Sequence, residues 1–249
     1  MPQSKENKSA DRTLAILEAF EEFRRPLTLR EIGEHCGIPV STCHALVHTL
    51  LARGYLYQTS RRKDLYPTRR LLSLANVIVA HDPYLERMSQ VLERLRSDTR
   101  ETVILGKRQG DQVLYLEVLE SPQTIRYSSR AGEYKPLHSS AIGKVMLAAM
   151  SPTELQDWMK KHALRKVTPN TMTSYADLQA DLEKGVRQGY FMTVGENVSD
   201  VAALAAPVTA NGELLGVAIA GPAHRIQAEQ RKLATLLLEV SRQLHEEAA

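Results

Sequence analysis

The stretch LTLREIGEHCGIPVSTCHALVHTL, Leu27 to Leu50, constrains this chain more than any other, because it spells two short helices joined by a tight turn. Thr28 followed three residues later by Glu31 is a capping-box pattern, with Leu27 and Ile32 at the positions of a hydrophobic staple. Leu29, Ile32, Gly33 and Cys36 fall at i, i+3, i+4 and i+7, so the first helix has one inward stripe, and Gly37 stops it. Pro39 keeps the connection short. In the second helix Cys43, Leu46, Val47 and Leu50 make the inward stripe, while Ser41, His44, Ala45 and His48 point the other way. That outward face is polar, small and uncovered near the helix N-terminus, the geometry by which a helix enters a DNA major groove. An ordinary helical hairpin with solvated hydroxyls and imidazoles has the same pattern, so the context matters.

After Gly54, YLYQTSRRKDLYPT reads as two short strands, with Tyr55, Tyr57, Leu65 and Tyr66 flanking the basic tip Ser60, Arg61, Arg62 and Lys63. Such a tip suits phosphate contact or entry into the minor groove. Helix, turn, helix and basic hairpin in succession describe a winged helix whose partner is double-stranded DNA. Its candidate contacts are Thr28, Ser41, Thr42, His44, Ala45, His48, Arg61, Arg62 and Lys63. Residues 1–80 hold 12 Lys and Arg against 8 Asp and Glu, whereas the remainder holds 20 against 21. A surplus of four is modest for a nucleic-acid binder, so useful affinity calls for two copies on one duplex.

A chain of 249 residues has room for two cores. Cys36 and Cys43 both sit on inward stripes, which argues for a reducing compartment rather than a disulfide framework. The opening MPQSKENKSADR lacks the apolar core of a signal peptide and is expected to be disordered through residue 10. LLSLANVIVA is too short to span a bilayer and reads as a packed helix. A cytoplasmic protein without a membrane partner is expected.

Upstream of the motif, Thr13, Ile16, Leu17 and Phe20 at helical spacing complete a three-helix core for a DNA-binding domain over 11–70. A linker helix follows over 71–82, apolar from Leu71 to Val79, and Asp82–Pro83 marks the joint with a second domain, 83–249. Tyr84 to Arg96 places Leu85, Met88, Leu92 and Leu95 on one face, a candidate contact with a neighbouring subunit. From Glu101 the period becomes strand-like: TVILGKR, QVLYLEVLE after Gly110–Asp111, then TIRYSS, an expected antiparallel meander. Helices are expected at Ala141 to Met150, from Ser151–Pro152–Glu154 onward, and from Ser174 to Gln188 before Gly189. Strands resume at YFMTV, LAAPVTA and ELLGVAIAG, the last two joined by Asn211–Gly212, and a final helix covers about Gln227 to Glu246. The fold class is therefore α+β: an N-terminal winged helix-turn-helix domain, a linker helix, and a C-terminal GAF/PAS-like effector domain with an antiparallel sheet.

Four phrases behind the winged helix carry a resemblance. PLHSSAIGKVMLA (Pro136 to Ala148), RQGYFMTVGE (Arg187 to Glu196), LAAPV and GVAIAGP resemble, in order, the signature phrases of the isocitrate lyase regulator (IclR) family of bacterial transcription factors. The resemblance covers nearly the whole chain. It implies a ligand-responsive repressor or activator, a homodimer or a dimer of dimers, on a palindromic promoter site.

Independently of the family, His138, Ser139 and Ser140 precede a helix whose first amides, those of Ala141, Ile142 and Gly143, are candidate donors for a carboxylate. The alternative is that a serine merely caps the helix while Gly143 permits close packing. Family members with very small keto-acid effectors carry acidic, thiol and hydroxyl groups on the pocket strands. The matching positions here are Thr193, Ala203, Ala218 and Ala220, which implies a roomier, apolar wall suited to an aromatic or medium-sized organic acid. Arg126, Tyr127, Tyr134 and Glu196 complete the candidate effector residues, although Arg126 equally reads as a solvated strand charge. On the DNA side, Val40 and Ala45 replace a lysine and an arginine found in many members. Guanine readout by that arginine is absent, leaving His44 and His48 for base edges and Ala45 for a thymine methyl.

Rival functions have less support. Cys36, Cys43, His44 and His48 do not make a metal site, because Cys43 lies on the stripe opposite both histidines. A hydrolase using His138 with Ser139 or Ser140 lacks a nucleophile elbow, and no phosphate-binding loop occurs. No cofactor is implied. A sensor acting through protein partners, with the winged helix as a docking module, is the remaining alternative.

Overall fold

In the computed structural model the first helix, α1 (Lys8–Phe23), begins earlier than its polar composition suggests, because the Asn7 side chain accepts from the amides of Ser9 and Ala10. Residues 8–10, expected to be a disordered tail, are therefore helical. Residues 7–59, 63–81, 85–210 and 212–246 are described, without the side chains of 85–87 and 246. The chain divides into two compact units, Met1–His81 and Asp82–Ala249.

In the first unit α1 packs on α2 (Leu29–His35) and α3 (Val40–Ala52), with Ile16, Phe20, Leu27, Ile32, Cys43, Val47 and Leu50 in one core. Each large aliphatic buried there contributes roughly 1.5–3 kcal/mol. The capping box forms: Thr28 Oγ1 accepts from the Glu31 amide at 3.2 Å, while the Glu31 carboxylate accepts from the Thr28 amide at 2.7 Å. Arg25, and then the Thr28 amide, hold the Glu31 carboxyl down at about 2. Because the folded value lies below the unfolded one, this contribution is full above the ordinary glutamate range and is lost as pH falls toward 2. Thr28→Ala should cost about 1 kcal/mol, read as a lower melting temperature of the first unit.

Strands β1 (Leu56–Gln58) and β2 (Leu65–Pro67) pair antiparallel, and Leu27 bridges to Leu65. Helix α4 (Arg70–Ala80) follows, and it does not pack as its composition suggests. None of its side chains is buried, and Leu72, Val77, Ile78 and Val79 are 58%, 60%, 59% and 64% exposed. An apolar helix face exposed in this way is the kind of surface that marks an interaction site.

In the second unit, α5 (Leu85–Thr99) buries Met88, Val91, Leu92 and Leu95 in the unit's own core. Its apolar face is thus used internally rather than against a neighbouring subunit. Strands β3 (Thr102–Gln109) and β4 (Gln112–Leu119) form a hairpin, but TIRYSS is not the third strand. Thr102 Oγ1 donates to the Tyr127 carbonyl, and Arg126 and Ser128 both donate to Glu120, so these groups are engaged by side chains instead of a ladder. The third strand is β5 (Tyr134–Pro136).

Helices α6 (Ala141–Ala148), α7 (Pro152–Lys161) and α8 (Tyr175–Gln188) precede β6 (Phe191–Val194), β7 (Val201–Ala210) and β8 (Glu213–Pro222), and α9 (Ala223–Ala228) and α10 (Gln230–Glu246) close the unit. The sheet is antiparallel with order β5-β4-β3-β8-β7-β6. Strand alternation separates two cores. Leu204, Val208, Leu215, Val217 and Ile219 share one core with α5 and α10, while Ala205, Ala218 and Ala220 share the other with α6. Small residues on that face let α6 lie close. A Cβ on Gly216 would stand 2.7 Å from Ile142, and one on Gly143 only 2.2 Å from the Leu137 carbonyl oxygen.

Candidate functional site

On the first unit, α3 presents Val40, Ser41, His44, Ala45 and His48 to solvent, with Thr42 half-buried and Cys43 buried beneath. No side chain caps α3, whose N-cap is Pro39. Its first-turn amides are therefore available to a phosphate. Thr28 has its hydroxyl committed to the capping box. On the wing, Ser60, Arg61 and Arg62 lie outside the described residues, and Lys63 is exposed at the tip with φ 56°. Among the described residues no three His, Cys, Asp or Glu groups are placed to hold a metal ion.

On the second unit, the N-terminus of α6 faces a small cavity. Ser140 is the N-cap: its hydroxyl accepts from the Gly143 amide at 3.2 Å and donates to the Pro136 carbonyl at 2.6 Å. Ser140 therefore caps the helix, as the alternative reading has it. Gly143 is engaged and closely packed, while the amides of Ala141 and Ile142 have no partner among the described residues. Both residues line the cavity together with Ser139, whose hydroxyl is fully buried and unpartnered. Thr193, Ala203, Ala218, Ala220 and Tyr127 line it too, brought together by the pairing of Thr193 with Ala203 and of Ala203 with Ala220.

Four expected residues are placed elsewhere. His138 Nε2 donates to the Arg165 carbonyl at 2.9 Å, and burial, then Lys144, push its pKa down. Arg126 pairs with Glu120, Tyr134 is exposed on β5, and Glu196 bonds Lys144 at 2.8 Å. Tyr115, Asn197, Val198 and Val201, not singled out in the sequence, line the cavity instead. Burial beside Tyr127 pushes the Tyr115 phenol well up, so it stays neutral. These groups fill the space that the alanines leave. The cavity encloses about 30 Å³, room for roughly two waters.

Residues 77–246 match the family of the bacterial transcriptional regulator IclR C-terminal domain, and residues 9–60 match the IclR helix-turn-helix domain. The chain belongs to the IclR family. It is 30% identical over 240 residues to the transcriptional regulator BhcR of Paracoccus denitrificans, covering 95% of this chain and 86% of the relative. The Thermotoga maritima IclR structure is similar with a TM-score of 0.77 at 25% identity, covering 96% of this chain and 99% of that one. An IclR homologue from Microbacterium hydrocarbonoxydans, solved in complex with 4-hydroxybenzoate, matches with a TM-score of 0.75 at 24% identity, covering 96% and 98%. Membership in the IclR family makes this protein a DNA-binding transcriptional regulator responsive to a small molecule, not an enzyme. Among its described residues no helix is long and apolar enough to cross a membrane.

Proposed function

We propose that this IclR-family protein binds a palindromic promoter site as a homodimer, or a dimer of dimers, in the cytoplasm. Its effector is an aromatic or medium-sized carboxylic acid. The observation carrying the effector reading is the pair of unpartnered amides of Ala141 and Ile142 beside the orphan hydroxyl of Ser139. Amides at a helix start favour an anion, and a buried hydroxyl without a partner favours a second acceptor, so a carboxylate answers both. The walls favour an apolar body: Ile104, Tyr115, Tyr127, Val198 and four alanines. That the Microbacterium relative holds 4-hydroxybenzoate makes this acid the first probe.

A thermal-shift screen of aromatic and aliphatic acids tests the effector class, with hits retested on DNA upstream of the protein's own gene. Enrichment of small keto acids over aromatic ones contradicts it. On the DNA side, replacing Arg61, Arg62 and Lys63 together by Ala should weaken binding to every sequence. It should also flatten the slope of log affinity against log salt by up to about three, roughly 0.9 for each phosphate that is no longer neutralised. An unchanged slope removes the wing from the interface.

A further inference from the structure

Lys144 stands one turn beyond the effector-facing amides and is wholly buried, an expensive place for an ammonium unless it is well paired. Its Nζ donates to Glu196 Oε1 at 2.8 Å and to Asp181 Oδ2 at 2.6 Å, and lies 3.8 Å from Met172 Sδ. The two carboxylates come from different places: Asp181 from the middle of α8, Glu196 from the segment 195–200 after β6. That segment forms one wall of the effector cavity through Asn197 and Val198. Thr171 Oγ1 donates to the Glu196 carbonyl at 2.6 Å, and Thr168 Oγ1 to the Gly195 carbonyl. Gly195 supplies the positive φ, 66°, at which the chain leaves β6.

The cavity, at about 30 Å³, does not admit an organic acid without movement of a wall. Two walls are fixed: Ala203 and Ala220 lie in the sheet, and α6 is wedged by Gly143 against Leu137 and by Ile142 over Gly216. The 195–200 segment is closed by the Gly195 amide donating to the Val201 carbonyl at 2.8 Å and tied at its end by the Ala223 amide donating to the Asp200 carbonyl at 2.8 Å. Thr168, Thr171 and Lys144 hold its first two residues by side chains, the ionic clamp coming from α6. We propose that Lys144 is a positioning residue for effector entry, its bond to Glu196 latching the 195–200 segment over the N-terminus of α6. Asp181 ties the same ammonium to α8, so release of Glu196 leaves Lys144 in a balanced pair. This inference rests on the cavity being the effector site, but its test uses no effector.

Ala203→Cys places a thiol in the cavity wall, and Ala206→Cys places one on the other face of the same strand, in the opposite core. Each is labelled in the full chain with methyl methanethiosulfonate and read by peptide mass. Adding Glu196→Gln, which keeps the shape and removes the charge, should speed labelling at 203 at least tenfold while leaving 206 unchanged. Asp181→Asn should leave both unchanged. Equal rates at 203 with and without Glu196→Gln overturn the latch, as does parallel acceleration at 203 and 206, which marks general loosening. Should Glu196→Gln not fold, the variant K144M/D181N/E196Q, neutral throughout, gives the same readout. Failure of the effector site itself shows separately, as an acid response surviving obstruction at Ala141.

Discussion

Val77→Asp with Ile78→Asp is expected to leave the protein monomeric and to weaken operator binding by at least roughly a hundredfold, the scale on which linking two half-site contacts raises affinity. Leu74, Val77 and Ile78 stand at i, i+3 and i+4 and share one helix face, and all three are exposed. Such a stripe is unfavourable in water, and in the proposed homodimer it is the surface a second copy would bury. Two aspartates in that contact are each desolvated without a partner, and the association fails. The modest basic surplus of residues 1–80 makes the loss of one half-site severe. Light scattering reads the oligomer and fluorescence anisotropy on the upstream DNA reads the affinity. A dimer of wild-type affinity would show that α4 is not the contact.

Ala141→Phe is expected to abolish the acid response while operator binding stays within about threefold of wild type. Ala141 is buried and lines a cavity of about 30 Å³, so a phenyl ring there takes the space an effector needs, screens both free amides and, being larger than the cavity, pushes a wall outward at a cost of about 1–3 kcal/mol. Ala141→Val provides a milder version, with a partial loss. Gly143→Ala is the contrasting change: its methyl would stand 2.2 Å from the Leu137 carbonyl oxygen, so it should destabilise the whole unit by about 2–4 kcal/mol. Loss of acid response with operator binding retained and a cooperative ligand-free melting transition, lowered less than in Gly143→Ala, thus separates obstruction from misfolding. A response retained in Ala141→Phe places the effector elsewhere.

The parts legible in the sequence are those set by neighbours along the chain. Thr28 with Glu31, Ser151 with Glu154, and Gly189 closing α8 are local caps, and each forms. The alternation in GVAIA puts Val217 and Ile219 on one sheet face and Ala218 and Ala220 on the other, and the pairing of Ala203 with Ala220 brings these alanines to one cavity. Local pattern misled where side chains supply partners that a strand or a tail would lack. TIRYSS alternates like a strand, yet Thr102 and Glu120 engage it, and Asn7 orders residues that composition leaves free. His138 and Glu196 signalled chemistry through their polarity, but Arg165 and Lys144 draw them out of the cavity. Tyr115, Val198 and Val201 carry no distinguishing motif, and only the pairing of distant strands and the turn between β6 and β7 bring them to the start of α6.

Calorimetric titration of the full chain with an acid and its own carboxamide reads out whether a carboxylate is held at the start of α6. 4-Hydroxybenzoate, or the strongest acid from the screen, is compared with the neutral amide of the same shape. Hydrogen bonds to a charged group contribute about 1.5–3 kcal/mol, so the acid should bind roughly 10- to 100-fold more tightly. Equal affinity for the acid and the carboxamide would mean that the α6 amides hold no carboxylate.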